Sequence, residues 1–223
     1  MLTRVLPDGP WLAGWLILAG AVAGSGEEPG SVVVSELMWS GSSASSSDEW
    51  IELFNRGSEP VDLKGWTITR GDGEEESVMV VIEAGQLPPG EVFLISNYGH
   101  DDERSRLAAV PSLVDPQVSL PNTKLRLRLY DGPPESASVI DLIDDGRGAP
   151  FGGQSGETKA AMVRTDLAAP GDEKESWATA TEASGWDPGA TELGTPGTQP
   201  GQKASAGIPT NVTAIGWGTV KSL

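Results

Sequence analysis

Apolar residues in this chain mostly recur at every second position, in short runs separated by Gly, Pro, Asn or Asp. That is the period of a strand with one buried face, not the roughly 3.6-residue period of a helix. The first run, residues 31–39, is apolar on both faces through Val32, Val33, Val34 and Leu37, which predicts a strand that is central or covered on both sides. Residues 40–47 are almost wholly Gly, Ser and Ala and read as a flexible connection. Trp50, Glu52 and Phe54 then alternate with Ile51 and Leu53, and short strands are expected at 61–63 and 64–68, with Gly65 allowing a bulge or tight turn. Asp72-Gly73 marks a reversal, 77–82 is a β-branched run, Leu87-Pro88-Pro89-Gly90 is a turn, and 92–96 reads as the next strand.

Residues 98–121 are polar and carry Pro111, Pro116 and Pro121, which predicts a long loop with one helical turn near 103–109. Regular alternation resumes at 124–130, placing Leu125, Leu127 and Leu129 on a core face and Lys124, Arg126 and Arg128 opposite. Asp131-Gly132 turns this strand into a hairpin with 137–143, and a last strand is expected at 160–165. Many short strands at this spacing predict an all-β fold, an immunoglobulin-like sandwich with long loops. Composition agrees, since Gly 29 and Pro 17 suit turns, and 223 residues are enough for one domain with a proper core.

Charge narrows the function. Asp and Glu outnumber Lys and Arg by 32 to 15, for a net charge of −17. A chain so acidic, with no long basic block, repels phosphate backbones, so nucleic acid is disfavoured as a partner. The same acidity suits a soluble exported protein and, less directly, divalent cations. With Cys 0 there is no disulfide, thiolate metal site or cysteine nucleophile, and the single histidine, His100, reads as a solvated loop residue.

Both ends differ from the middle. Arg4 precedes an apolar run from Trp11 to Ala23 that closes on Ala21-Val22-Ala23, which predicts a signal peptide over 1–23 cleaved near Ala23. The run is shorter than the roughly 20 residues that span a bilayer, so the mature chain is expected to be secreted or held at the cell surface, with no membrane span. Residues 198–223 read as a Gly/Pro-rich linker and a short apolar tail that holds the acceptor triplet Asn211-Val212-Thr213.

Candidate chemistry is sparse. Glu49 and Glu52 could pose as an acid/base pair, but on one strand they face opposite ways. Asp141, Asp144 and Asp145 are weak calcium candidates, because their spacing is not that of an EF-hand loop. Gly152-Gly153-Gln154-Ser155-Gly156 has the wrong spacing for a nucleophile elbow. No catalytic or cofactor-binding set emerges, and no cofactor is expected beyond a possible calcium.

Several segments together resemble the lamin-tail domain, whose bacterial members are secreted immunoglobulin-like sandwiches. They are Val33-Val34-Ser35-Glu36-Leu37-Met38-Trp39, Glu49-Trp50-Ile51-Glu52-Leu53-Phe54-Asn55, Val61-Asp62-Leu63-Lys64-Gly65-Trp66 and Leu87-Pro88-Pro89-Gly90-Glu91. Met162-Val163-Arg164, Trp177-Ala178-Thr179-Ala180 and Gly194-Thr195-Pro196-Gly197 resemble the closing part of bacterial members. The resemblance spans residues 31–197 and implies a structural role for Glu49, Glu52, Leu53, Asn55, Leu63, Gly65, Trp66, Gly90, Arg164, Trp177, Gly194, Pro196 and Gly197. Val163 stands where the resemblance implies an acidic residue, so the salt bridge expected at Arg164 is predicted to be missing. The functional expectation is a non-catalytic exported module that binds protein, carbohydrate or another envelope component through loops 40–47 and 98–121. The alternatives are a nucleic-acid-associated accessory module using Lys124, Arg126 and Arg128 and, behind it, a metal-dependent hydrolase.

Overall fold

Alternation along the chain resolves into two sheets whose apolar faces meet. The computed structural model describes residues 30–71 and 73–201; the expected signal peptide and most of the C-terminal tail, Asn211 included, lie outside the described residues. The strands are β1 (Val32–Met38), β2 (Trp50–Asn55), β3 (Val61–Asp62), β4 (Thr67–Arg70), β5 (Ser77–Val81), β6 (Gln86–Leu87), β7 (Val92–Ser96), β8 (Leu113–Val114), β9 (Leu127–Tyr130), β10 (Val139–Ile143), β11 (Met162–Arg164) and β12 (Trp177–Thr179). One sheet runs β12-β11-β1-β2-β7-β8, a second runs β10-β9-β4-β5, and β3 with β6 forms a short ribbon. All pairs are antiparallel except β7 with β8, so the chain is an immunoglobulin-like β-sandwich.

The core follows from the period of two. Val34, Leu37, Ile51, Leu53 and Ile95 of the larger sheet face Ile68, Val80, Leu127, Leu129 and Ile143 of the smaller, with Leu63 and Trp66 closing the side. Every residue of β1 is buried, as its doubly apolar sequence requires. Its outer face belongs to a second cluster, in which Met38, Trp50 and Leu94 meet Leu107, Ala161 and Ala180, with Trp186 and Leu193 packed against them.

Three local expectations need correction. Residues 40–47 are not a loose connection, since Ser40 and Ser42 are buried and the Ser40 hydroxyl donates to the Gln154 carbonyl at 3.0 Å. Residues 103–109 form no helical turn; Leu107 instead bridges to Trp186, and the same loop contains β8. The strand expected from 124 begins at Leu127, because Lys124 has φ 56° and cannot sit in a ladder.

The salt bridge predicted to be missing at Arg164 is present, with a partner from the other sheet. Val163 lies opposite Glu36 in the ladder, while the Arg164 guanidinium turns inward to the Asp141 carboxylate of β10 at 2.6 Å. Asp141 also accepts the Val34 N–H at 2.9 Å, so one carboxylate ties β10 to β1 and β11. Arg164 lies 5.4 Å over the Trp177 ring and donates to the Ala169 carbonyl, and the Trp177 indole donates to the Gly171 carbonyl at 2.8 Å. A pair this buried stabilises only while both members stay. Arg164→Met should therefore cost about 3–5 kcal/mol in urea unfolding, and adding Asp141→Leu should recover part of the loss.

Candidate functional site

Two carboxyls sit side by side on the outer face of the larger sheet. Glu36 of β1 lies opposite Glu52 of β2 after a register shift at Ser35, and the chain's return over this face caps them both. Glu36 accepts the Thr195 N–H at 2.9 Å and the Thr195 hydroxyl at 2.6 Å. Glu52 accepts the Gly197 N–H at 2.7 Å and the Ser35 hydroxyl at 3.0 Å. Gly194 has φ 144°, and a Cβ there would stand 2.9 Å from a Glu36 oxygen, so the cap requires glycine at this point. Gly197 has φ 76°, and between the two Pro196 stiffens the backbone that carries the donors. Trp186 fastens the return, its indole donating to the Gly194 carbonyl at 2.9 Å and its ring tilted against Trp50 at 6.0 Å.

Burial pushes Glu52 from 4.5 up to about 8, the neighbouring Glu36 adds to the rise, and the Gly197 and Ser35 hydrogen bonds oppose it. Burial also raises Glu36, against the two Thr195 hydrogen bonds. A hollow of about 460 Å³ opens beside the pair, lined among others by Thr165, Thr179, Glu182 and Thr198. Each Glu36 and Glu52 oxygen already accepts a hydrogen bond from the protein. The arrangement therefore works as a clasp that holds the chain's return.

The sandwich gathers its longer loops at one end. Because Met38, Trp50 and Ser96 align across the sheet, the segments after β1 and β7 leave side by side, and the register of Leu37 with Met162 and of Met162 with Thr179 brings 144–161 and 180–194 to the same end. They are cross-bonded. Asp48 accepts the Arg106 N–H at 2.8 Å, Glu49 accepts the Leu120 N–H at 3.0 Å, Glu192 accepts the Ser43 N–H, and the Trp39 indole donates to the Gly152 carbonyl at 2.8 Å. Burial pushes Glu49 up to about 7 and also raises Asp48. On the surface of this end Arg104 lies 4.1 Å over the Tyr98 ring and grips Asp102 through two nitrogens, at 2.9 and 2.6 Å. Those bonds hold the Asp102 carboxyl down at about 2.

The remaining candidates are scattered. Glu49 points into the loop end and Glu52 into the clasp, so they share no site. Leu53, Leu63 and Trp66 are core, and the Gly65 N–H donates to the Ile82 carbonyl at 2.7 Å. Asn55 is fully buried and pins the end of β2, donating to the Glu59 and Leu87 carbonyls and accepting the Gly57 N–H, while Gly90 donates to its carbonyl. The three aspartates named as calcium candidates are engaged with other groups. Asp141 is spent on Arg164, Asp144 accepts the Asp145 and Phe151 N–H groups at 2.7 and 2.8 Å, and Asp145 accepts the Arg147 N–H. Among the described residues no group of three His, Cys, Asp or Glu side chains could hold a metal ion. Of the basic stripe, Arg128 pairs with Glu76 at 2.9 Å, Arg126 donates to the Asp144 carbonyl, and Lys124 alone is exposed.

Sequence reasoning did not single out Glu36, the Asp141 partner or Trp186. Only Glu36 left a local signal, since one carboxylate in each of two apolar strands calls for hydrogen-bond partners.

The family model described as Lamin Tail Domain matches residues 25–147. The curated proteins give no match to this chain. Strands β11 and β12 and the clasp at 194–197 lie beyond the matched residues.

The raised carboxyls fix the sign of the pH dependence. Below about 4.5 the folded and unfolded chains both hold these protons; between 4.5 and about 8 only the folded chain keeps them, so stability falls as pH rises through that window. Glu52→Gln, an isostere of the protonated acid, should flatten the fall seen in melting temperature across a pH series. Calcium and chelator should leave the melting temperature of the full chain unchanged, because a ligand raises it only by binding the folded state.

Proposed function

Because the chain belongs to the lamin tail domain family of non-enzymatic immunoglobulin-like modules, we propose that it is an exported binding module that holds a protein partner through the loop end of its sandwich. The leader-like run ending at Ala23 supports export. Among the described residues no helix is long and apolar enough to cross a membrane.

The observation that carries the reading is the cross-bonded loop end. Loops already tied to one another lose little freedom on binding, which is the main cost of presenting side chains from irregular chain. Tyr98, Arg104 and Asp102 are tied together on that surface, and tyrosine and arginine are among the residue types enriched where protein interfaces are anchored. Arg104 covers one face of the Tyr98 ring, which disfavours a sugar stacking there and favours a protein. A nucleic acid would meet the net charge of −17 with Arg126 and Arg128 already engaged.

The test is to label the full chain and measure its retention on intact cells of the strain that makes it. Retention that survives added salt and drops about tenfold or more in the Tyr98→Ala, Arg104→Ala double variant is the expected result. Equal retention of the variant would move the site away from this end, and release by salt together with nuclease would favour nucleic acid.

A further inference from the structure

The outer edge of the smaller sheet is open, and its chemistry selects a partner. Strand β5 makes ladder bonds with β4 alone and forms the edge of the order β10-β9-β4-β5. The opposite edge is closed, since Asp141 of β10 takes the Val34 N–H and the Asp144 N–H just beyond β10 reaches the Gly171 carbonyl. A bulge between Ile68 and Thr69 in the pairing turns Met79 and Val80 both inward and leaves Val78 and Val81 outside, 55% and 46% exposed. Edge strands are usually blunted by Lys, Pro, an inward charge or a bulge; Ser77-Val78-Met79-Val80-Val81 carries no Lys, Pro or inward charge, and its one such device is the bulge at Met79, which leaves Val80 and Val81 in register with Ile68 and Thr67.

We propose that this edge takes up an extended apolar segment flanked by Lys or Arg from a partner protein, which adds to β5 as a further strand. The strand's surroundings decide between occupants. Exposed Glu75 and Glu83 bracket it; Arg70 of β4 stands opposite Ser77 and Glu76 is already paired with Arg128, so the bracketing charge is that of Glu75 and Glu83. In a two-fold pairing of β5 with a second copy, the Glu75 end of one strand would meet the Glu83 end of the other. Like charges set opposite one another across a ladder are destabilising, and two chains of net charge −17 repel at longer range. A segment with basic flanks gains from the same carboxylates, while its alternate apolar side chains cover Val78 and Val81. The site lies in the smaller sheet and uses neither Tyr98 nor Arg104; the 98–121 loop meets it at Ser119, whose N–H reaches the Met79 sulfur.

The probe is a synthetic peptide, Lys-Lys-Val-Thr-Val-Thr-Val-Lys-Lys, titrated into the isotope-labelled full chain and followed by amide NMR shifts. The expected result is a set of shifts centred on residues 77–82, weakened by salt, with about tenfold weaker binding by Val78→Lys, Val81→Lys and by a peptide whose flanks are Glu. Glu75→Lys with Glu83→Lys changes only exposed side chains and should exchange the preference, so that the Glu-flanked peptide binds better. Absence of shifts overturns the proposal, as do shifts centred on another edge or binding unaffected by both variants. Concentration-dependent dimerisation of the unliganded chain that Val78→Lys abolishes would also overturn it, in favour of a second copy.

Discussion

The central strands of the larger sheet are buried on both faces, and most of the structure answers that constraint. A sandwich covers the inner face by packing a second sheet, but the outer face of β1 and β2 carries Met38 and Trp50 beside Glu36 and Glu52, so it needs both apolar cover and hydrogen-bond donors. The chain supplies the first through Leu107, Trp186 and Leu193, and the second through the Thr195 N–H and hydroxyl and the Gly197 N–H. The long segment between β12 and Gly201 has little secondary structure because its work is to fit this mixed surface, which no regular element would match.

The inner interface has a matching polar element. Asp141 and Arg164 join the two sheets inside an otherwise apolar core, with Val34 and Trp177 completing the group. Such a pair adds little net stability over an apolar filling but fixes how β10 and β11 sit against each other. Together the clasp and the ion pair restrict each face of β1 to one arrangement.

Strand positions were largely legible in the sequence, because alternation depends only on near neighbours. Leu125, Leu127 and Leu129 are buried where their spacing places them, and Trp66 and Leu63 fill the core as their types suggest. What the sequence hid was contact across distance. Reading Val163 as a lost charge assumed that the partner of Arg164 had to be its neighbour, whereas it comes from another strand on the opposite sheet. Residues 40–47 looked loose because Gly and Ser carry little local preference, yet small side chains are what let the first part of that loop, residues 40–42, lie buried, with the Ser40 hydroxyl on the Gln154 carbonyl. Glu36 and Glu52 were each visible as carboxylates in apolar strands, but their pairing depends on the register between β1 and β2, which alternation alone leaves open. The matched family region stops at residue 147, before β11, which is the neighbour of β1 in the sheet, so the region the family pattern covers is not the whole folding unit.

The clasp also orders events in time. Strand β1, near the beginning of the chain, pairs on one side with β2 but acquires its other neighbour only from residues 162–163 and its cover from residue 195. Closing loops of that length carries a large entropic barrier before any contact repays it, so high contact order makes such folds slow. As the chain is made or passed through a pore from its N-terminus, its most apolar strand stays unfinished until nearly all the rest has emerged. The sequence thus delays its own compaction, a useful property in any chain that has to be threaded before it folds.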